Sequence, residues 1–243
     1  MLFADRYGPA TPADMLARFA EVAGEGVDDR RFEAQVLGCE AVTRAMLGDF
    51  ESARTLLDRY RAIVSDLGII YVEYWLAETT WTVEMLAGDA VAAEAGIRIA
   101  EGSAAQLMDE PMEGAVGSRL AHALLAQGRV DEAAAALGVE QDLTGSAGTR
   151  VLWLSASAKV EAVRSNAELA LARAHQAVDL AETTDGLNLH GDALMDLAEV
   201  LSVSGRTFEA ISALEAALEL YERKGNVVSA ARATETLGRF RSA

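Results

Sequence analysis

A short turn recurs along this chain at nearly constant intervals, and it constrains the fold more than any other feature. It reads GDFESA from Gly48, GDAVAA from Gly88, GRVDEA from Gly128, SNAELA from Ser165 and GRTFEA from Gly205. The intervals are 40, 40, 37 and 40 residues. Each turn is followed by an alanine at the same offset: Ala53, Ala93, Ala133, Ala170 and Ala210. A small residue there lets the second helix of a hairpin pack closely on the first. Self-similarity at such a period is the mark of stacked structural repeats.

The flanks of the turns have helical periodicity. After Gly205, the residues Phe208, Ile211, Leu214, Leu218 and Tyr221 fall at spacings of three and four, one face of a helix. Leu194, Leu197, Ala198 and Leu201 do the same before it, and Phe50, Leu56, Leu57 and Tyr60 follow Gly48. Alanine and leucine dominate while prolines number only 3, so long unbroken helices are permitted. Each unit is therefore a helix–turn–helix.

These units resemble the tetratricopeptide (TPR) repeat, although their period exceeds its usual ~34 residues and implies longer helices. The resemblance implies an all-α, tetratricopeptide-like α-solenoid. Its expected form is a right-handed superhelix of about five hairpins with a leading and a capping helix. Residues 1–243 then form one such unit, with repeats at about 29–67, 69–106, 111–138, 147–184 and 187–224 and a capping helix at 227–241. The third unit is irregular: its second helix stops near Gly138, and EQDLTGSAGTR is expected to be a loop. Thr11-Pro12-Ala13-Asp14 is a helix start, with Thr11 as N-cap and Pro12 in the first turn. Gly24-Glu25-Gly26 separates that helix from the next. Gly225 suits a left-handed helix stop, and Asn226 can cap the final helix. Arg232, Thr234, Glu235 and Arg239 are expected on the outer side of that helix, sealing the array at its C-terminal end.

Two longer stretches narrow the resemblance. GDALMDLAEVLSVSGRTFEAISALEAALELYERKGNVVSAARATETL runs from Gly191, and SRLAHALLAQGRVDEAAA runs from Ser118 with VLWLSASAKVEAV following from Val151. They are similar to the C-terminal repeat region of actinobacterial proteins that carry a class III adenylate/guanylate cyclase and an AAA-type ATPase. Related regions occur in ATP-dependent transcriptional regulators. The chain departs from that pattern at Leu154, where an arginine is common, and at Ser165-Asn166, which replace the turn glycine. The catalytic parts of such proteins are not in this sequence: it has no GxxxxGK[ST] phosphate loop and no cyclase domain with paired metal-binding aspartates. The resemblance implies an accessory module acting in cis or in trans with a cyclase/ATPase.

The formal net charge of −17 disfavours nucleic acid and anionic membrane surfaces as partners. No apolar run is long enough to span a bilayer and no signal peptide opens the chain, so a cytoplasmic location is expected. Cys39 is the only cysteine, which excludes an internal disulfide. His122, His175 and His190 make no ligand pair, and GSAGT at Gly145–Thr149 lacks a nucleophile elbow and is expected to be loop. The chain is therefore not expected to be an enzyme, nor to hold a metal or cofactor. Acid pairs Asp192/Asp196 and Asp196/Glu199 are expected to form a solvated acidic groove.

What remains is surface. First helices line the concave side of a TPR solenoid, and counting back from the turns gives Trp75, Glu78, Thr82, Ser118, His122, Ser155, Lys159, Asp192, Met195 and Glu199 as inward candidates. Trp75 is expected to point toward the groove and Trp81 to pack against the neighbouring helix; Lys159 is a lone cation among acids. The leading expectation is a non-catalytic module that binds a protein or peptide in this groove. A small-molecule sensor is the alternative and requires a closed, partly apolar pocket. A homo-oligomerisation surface is the third.

Overall fold

The computed structural model describes residues 8–24, 29–107, 110–138 and 146–242. The described residues form helices and no strand. A leading helix, α1 (Pro12–Gly24), is followed by five hairpins: α2 (Arg30–Met46) with α3 (Phe50–Leu67), α4 (Ile70–Ala87) with α5 (Ala90–Leu107), α6 (Glu110–Ala126) with α7 (Val130–Leu137), α8 (Ala147–Val163) with α9 (Ala167–Glu182), and α10 (Leu187–Val203) with α11 (Thr207–Lys224). A final helix, α12 (Val227–Ser242), packs on α11. The fold is a TPR-like α-solenoid.

The recurrent turn has one physical basis. In every hairpin the N–H of the residue after the turn position bonds the carbonyl five residues back: Asp49 to Arg44, Asp89 to Glu84, Arg129 to Leu124, Asn166 to Glu161 and Arg206 to Leu201, at 2.9–3.0 Å. This closure needs a left-handed residue just past the helix. Gly48, Gly88, Gly128 and Gly205 supply it with φ between 74° and 84°. The fourth turn puts Ser165 there instead, at φ 64°. A Cβ in that region costs about 1 kcal/mol, so Ser165→Gly is expected to raise the melting temperature measurably. A drop in a thermal melt would mean the serine side chain stabilises the turn.

The invariant offset alanines Ala53, Ala93, Ala133, Ala170 and Ala210 are all fully buried between paired helices. α7 is the short helix the third unit foretells, with 8 residues. The segment 139–145 lies outside the described residues, as do Glu25 and Gly26. The GSAGT stretch differs from its expected loop. Ser146 accepts from Thr149 N at 3.2 Å, and Ala147, Gly148 and Thr149 already belong to α8. A serine cap outweighs the poor helix propensity of one glycine.

Both ends are capped as expected. Thr11 and Asp14 bond reciprocally at the start of α1. Gly225 ends α11 at φ 78°, and Asn226 Oδ1 accepts from Ser229 N at 3.1 Å. Arg232 is the exception. It does not lie on an outer face: its Nη2 donates to Met85 O and Leu86 O, at 2.9 and 2.6 Å, at the C-terminal end of α4. The last carbonyls of a helix carry the negative end of its dipole and attract a guanidinium.

That contact reveals the architecture. The coil turns far enough for its last helices to meet its first. Lys224, fully buried, donates from Nζ to Gly8 O and Ala10 O, each at 2.7 Å. Asn188 Nδ2 donates to Met46 Sδ at 3.2 Å, and α12 also packs on α2. The solenoid is a closed turn rather than an open arc. No helix among the described residues is long and apolar enough to cross a membrane.

Candidate functional site: a central cavity

Closure converts the concave groove into a cavity of about 260 Å³. All five first helices contribute to its wall. Met46 comes from α2, Trp81, Thr82 and Met85 from α4, His122 from α6, Val151, Ser155 and Lys159 from α8, and Asp192, Met195 and Asp196 from α10. Tyr221 of α11 and Arg232 of α12 complete it. Apolar side chains make up most of the wall, with polar groups converging from α6, α8 and α10.

Lys159 organises one level of the polar side. Its Nζ lies 3.1 Å from Asp196 Oδ1 and 2.7 Å from Glu199 Oε2. Burial opposes its charge, but the two carboxylates prevail and hold the ammonium above the ordinary lysine range. His122 completes this level. Its Nε2–H donates to Leu152 O at 3.0 Å, so Nδ1 carries the lone pair, 4.0 Å from Asp196 Oδ2. Burial lowers the imidazole pKa and favours the neutral ring.

Four residues earlier on both α8 and α10 stand Ser155 and Asp192. Ser155 is 2% exposed, and among the described residues its hydroxyl has no hydrogen-bond partner. Asp192 faces the accessible space of the cavity, and its Oδ1 accepts the Tyr221 hydroxyl at 2.6 Å. Desolvation by the surrounding protein pushes its carboxyl up to about 6; the Tyr221 bond opposes that rise, Asp196 adds to it, and the Arg232 charge opposes it. Tyr221 is held by Gly191, where a Cβ would come within 2.7 Å of the Tyr221 ring. Only glycine on α10 lets this ring sit so close.

Six of the inward candidates line the cavity: Thr82, His122, Ser155, Lys159, Asp192 and Met195. Glu199 stands beside it, half-exposed and tied to Lys159. Three lie elsewhere. Ser118 is buried and donates to Gly114 O of its own helix at 2.7 Å. Glu78 is buried in an ion pair with Arg119 at 2.9 Å. Trp75 packs among Tyr71 and Tyr74, with ring centroids 5.9 and 5.4 Å away, and does not line the cavity. Trp81 does both things that were divided between the tryptophans. Its indole Nε1 donates to Arg119 O of the neighbouring helix at 2.9 Å, and it forms part of the cavity wall. The expected acidic groove is partly neutralised, since Lys159 bridges Asp196 and Glu199, while Asp192 has no ion pair among the described residues. Tyr221, Arg232 and Asn188 were missed because they come from helices or levels that reach the cavity only once the coil closes. Among the described residues, no group of three or more His, Cys, Asp or Glu is arranged to hold a metal ion.

The fold has a solved counterpart. The crystal structure of the apo form of RapI superposes with a TM-score of 0.53 at 13% sequence identity, covering 99% of this chain and 69% of RapI. At that identity the similarity establishes the helical-repeat fold alone. No protein-family model matches the chain, and no curated protein sequence matches it.

Proposed function

We propose that this protein is a non-catalytic regulatory module that recognises a compact ligand in its central cavity. The observation carrying this reading is the closure of the coil by Lys224 and Arg232, which leaves a walled space of about 260 Å³ where an open groove was expected. That volume sits just below the range of drug-sized ligand pockets and suits a small molecule better than an extended peptide. Its wall has the composition of a ligand site: apolar over most of its extent, with a few convergent polar groups. The polar groups beside Lys159 are already satisfied by one another, which favours a preformed recognition surface over a reacting centre. The sequence resemblance supports a cyclase/ATPase signalling protein, in cis or in trans, as what the module regulates.

The test is a small-molecule screen by ligand-observed NMR on the whole chain, repeated on Met195→Trp, which fills the cavity from α10. Binding is expected to the native protein and to be lost in the variant while its circular dichroism is kept. Hits that bind both proteins equally would place the site elsewhere.

A further inference from the structure

The cavity has two polar levels, and only one is electrically complete. Lys159 on α8 meets Asp196 on α10 at 3.1 Å, which fixes how the two helices stand against each other. Both are first helices of successive hairpins, so they run in the same direction. One helical turn before Lys159 is Ser155, and one turn before Asp196 is Asp192. The second level therefore repeats the first with a serine where the lysine stands. Among the described residues its carboxylate makes no ion pair, although the Arg232 charge acts on it from α12, and its hydroxyl has no hydrogen-bond partner.

Two independent facts mark this level as built for something absent from the chain. A serine hydroxyl that is 2% exposed and unpartnered costs free energy for no folding benefit. Among the described residues Asp192 has a single hydrogen bond, to Tyr221, although it reaches the cavity space. A group that donates to both oxygens and carries positive charge satisfies the level. An ammonium has three donors and the required charge. Val151, Leu189 and Met85 give the cavity wall an apolar share beside polar Asn188, Asn226 and Arg232, which suits a ligand with a short apolar body.

We propose that the cavity binds a small primary amine with a short apolar body, its ammonium held between the Asp192 carboxylate and the Ser155 hydroxyl. This rests on the cavity being a ligand site, as argued above, and goes further by naming the ligand's chemical class. The ammonium takes the place at the second level that Lys159 holds at the first.

The pH dependence has a definite sign. The groups around Asp192 are Asp196 and Glu199 on its own helix, Lys159 from α8, His122 from α6, Tyr221 from α11 and Arg232 from α12. Tyr221 is held neutral by burial, and Lys159 and Arg232 are engaged by Asp196, Glu199 and the α4 carbonyls. Asp192 therefore remains the anion available to the ligand, and it is lost as pH falls through about 6. Amine affinity weakens in that direction.

The experiment is calorimetry on the full chain with three compounds sharing one body: 3-phenylpropylamine, 3-phenylpropanol and 3-phenylpropionate. The amine is expected to bind best, by at least about tenfold over the alcohol, the scale of one charge-assisted hydrogen bond. Asp192→Asn keeps the acceptor for Tyr221 and is expected to erase the amine's advantage without unfolding the protein. Ser155→Ala is expected to weaken the amine several-fold while leaving the melting temperature unchanged or higher. Equal binding of amine and alcohol, or an amine affinity indifferent to Asp192→Asn, overturns the inference while leaving the cavity as a ligand site. Binding of none of the three overturns the inference, and a failed screen in the previous test overturns the site with it.

Discussion

Lys224→Met is expected to lower the melting temperature by roughly 6–12 °C, from two carbonyls left without a donor at about 1–3 kcal/mol each. The methionine keeps the apolar volume of the stem, so the loss reports on the ammonium. Gly8 is buried and Ala10 half-buried, and the Lys224 ammonium that serves both carbonyls is fully buried. The effect should be visible at both extremes of the described chain together. Amide hydrogen exchange is expected to rise in α1 and α12 of the variant while the middle hairpins stay protected. Exchange rising only in α11 and α12 would mean that the leading helix does not depend on this contact.

Glu78→Ala is expected to destabilise the protein by up to about 3–5 kcal/mol, because it removes one carboxylate from a largely desolvated ion pair. The pair is 4% and 11% exposed at its two side chains, and Arg119 also lies 5.7 Å from the centre of the Trp81 ring. Trp81 in turn donates to the backbone of Arg119, so the substitution should loosen the α4–α6 side of the cavity as well. Urea denaturation measures the cost directly. An unchanged midpoint combined with weaker ligand binding would return Glu78 to the groove, where its place in the repeat first put it.

The two substitutions bracket what the sequence reveals. Hairpins, caps and turn chemistry are local, and the spacing of Gly48, Gly88, Gly128 and Gly205 states them openly. The inward level of each first helix is also local, which is why Thr82, His122, Ser155, Lys159, Asp192 and Met195 were found by counting back from turns. Curvature is not local. It accumulates from a small rotation at each hairpin interface, and no residue carries it alone. Arg232 therefore looked like an outer-face residue, as it would be in an open array, and became a bridge to α4 only because the coil closes. Glu78 and Trp75 failed for a related reason. A helix flanked on two sides has a narrow inward stripe, and a side chain one position off it meets Arg119 or the tyrosines instead of the cavity. The sequence resemblance indicates a repeat module; the walled cavity emerges only from the closed geometry.

The same closure bears on how the chain assembles. In a linear solenoid each repeat touches only its neighbours, so units can zip up from any point and fray from either side. Here Lys224 must find carbonyls 214 and 216 residues earlier. Such a junction forms only after every intervening hairpin has taken its curvature, and its closure entropy is met last. The protein should thus behave as a clasped necklace, with folding that waits on its final link and unfolding that must begin by undoing it.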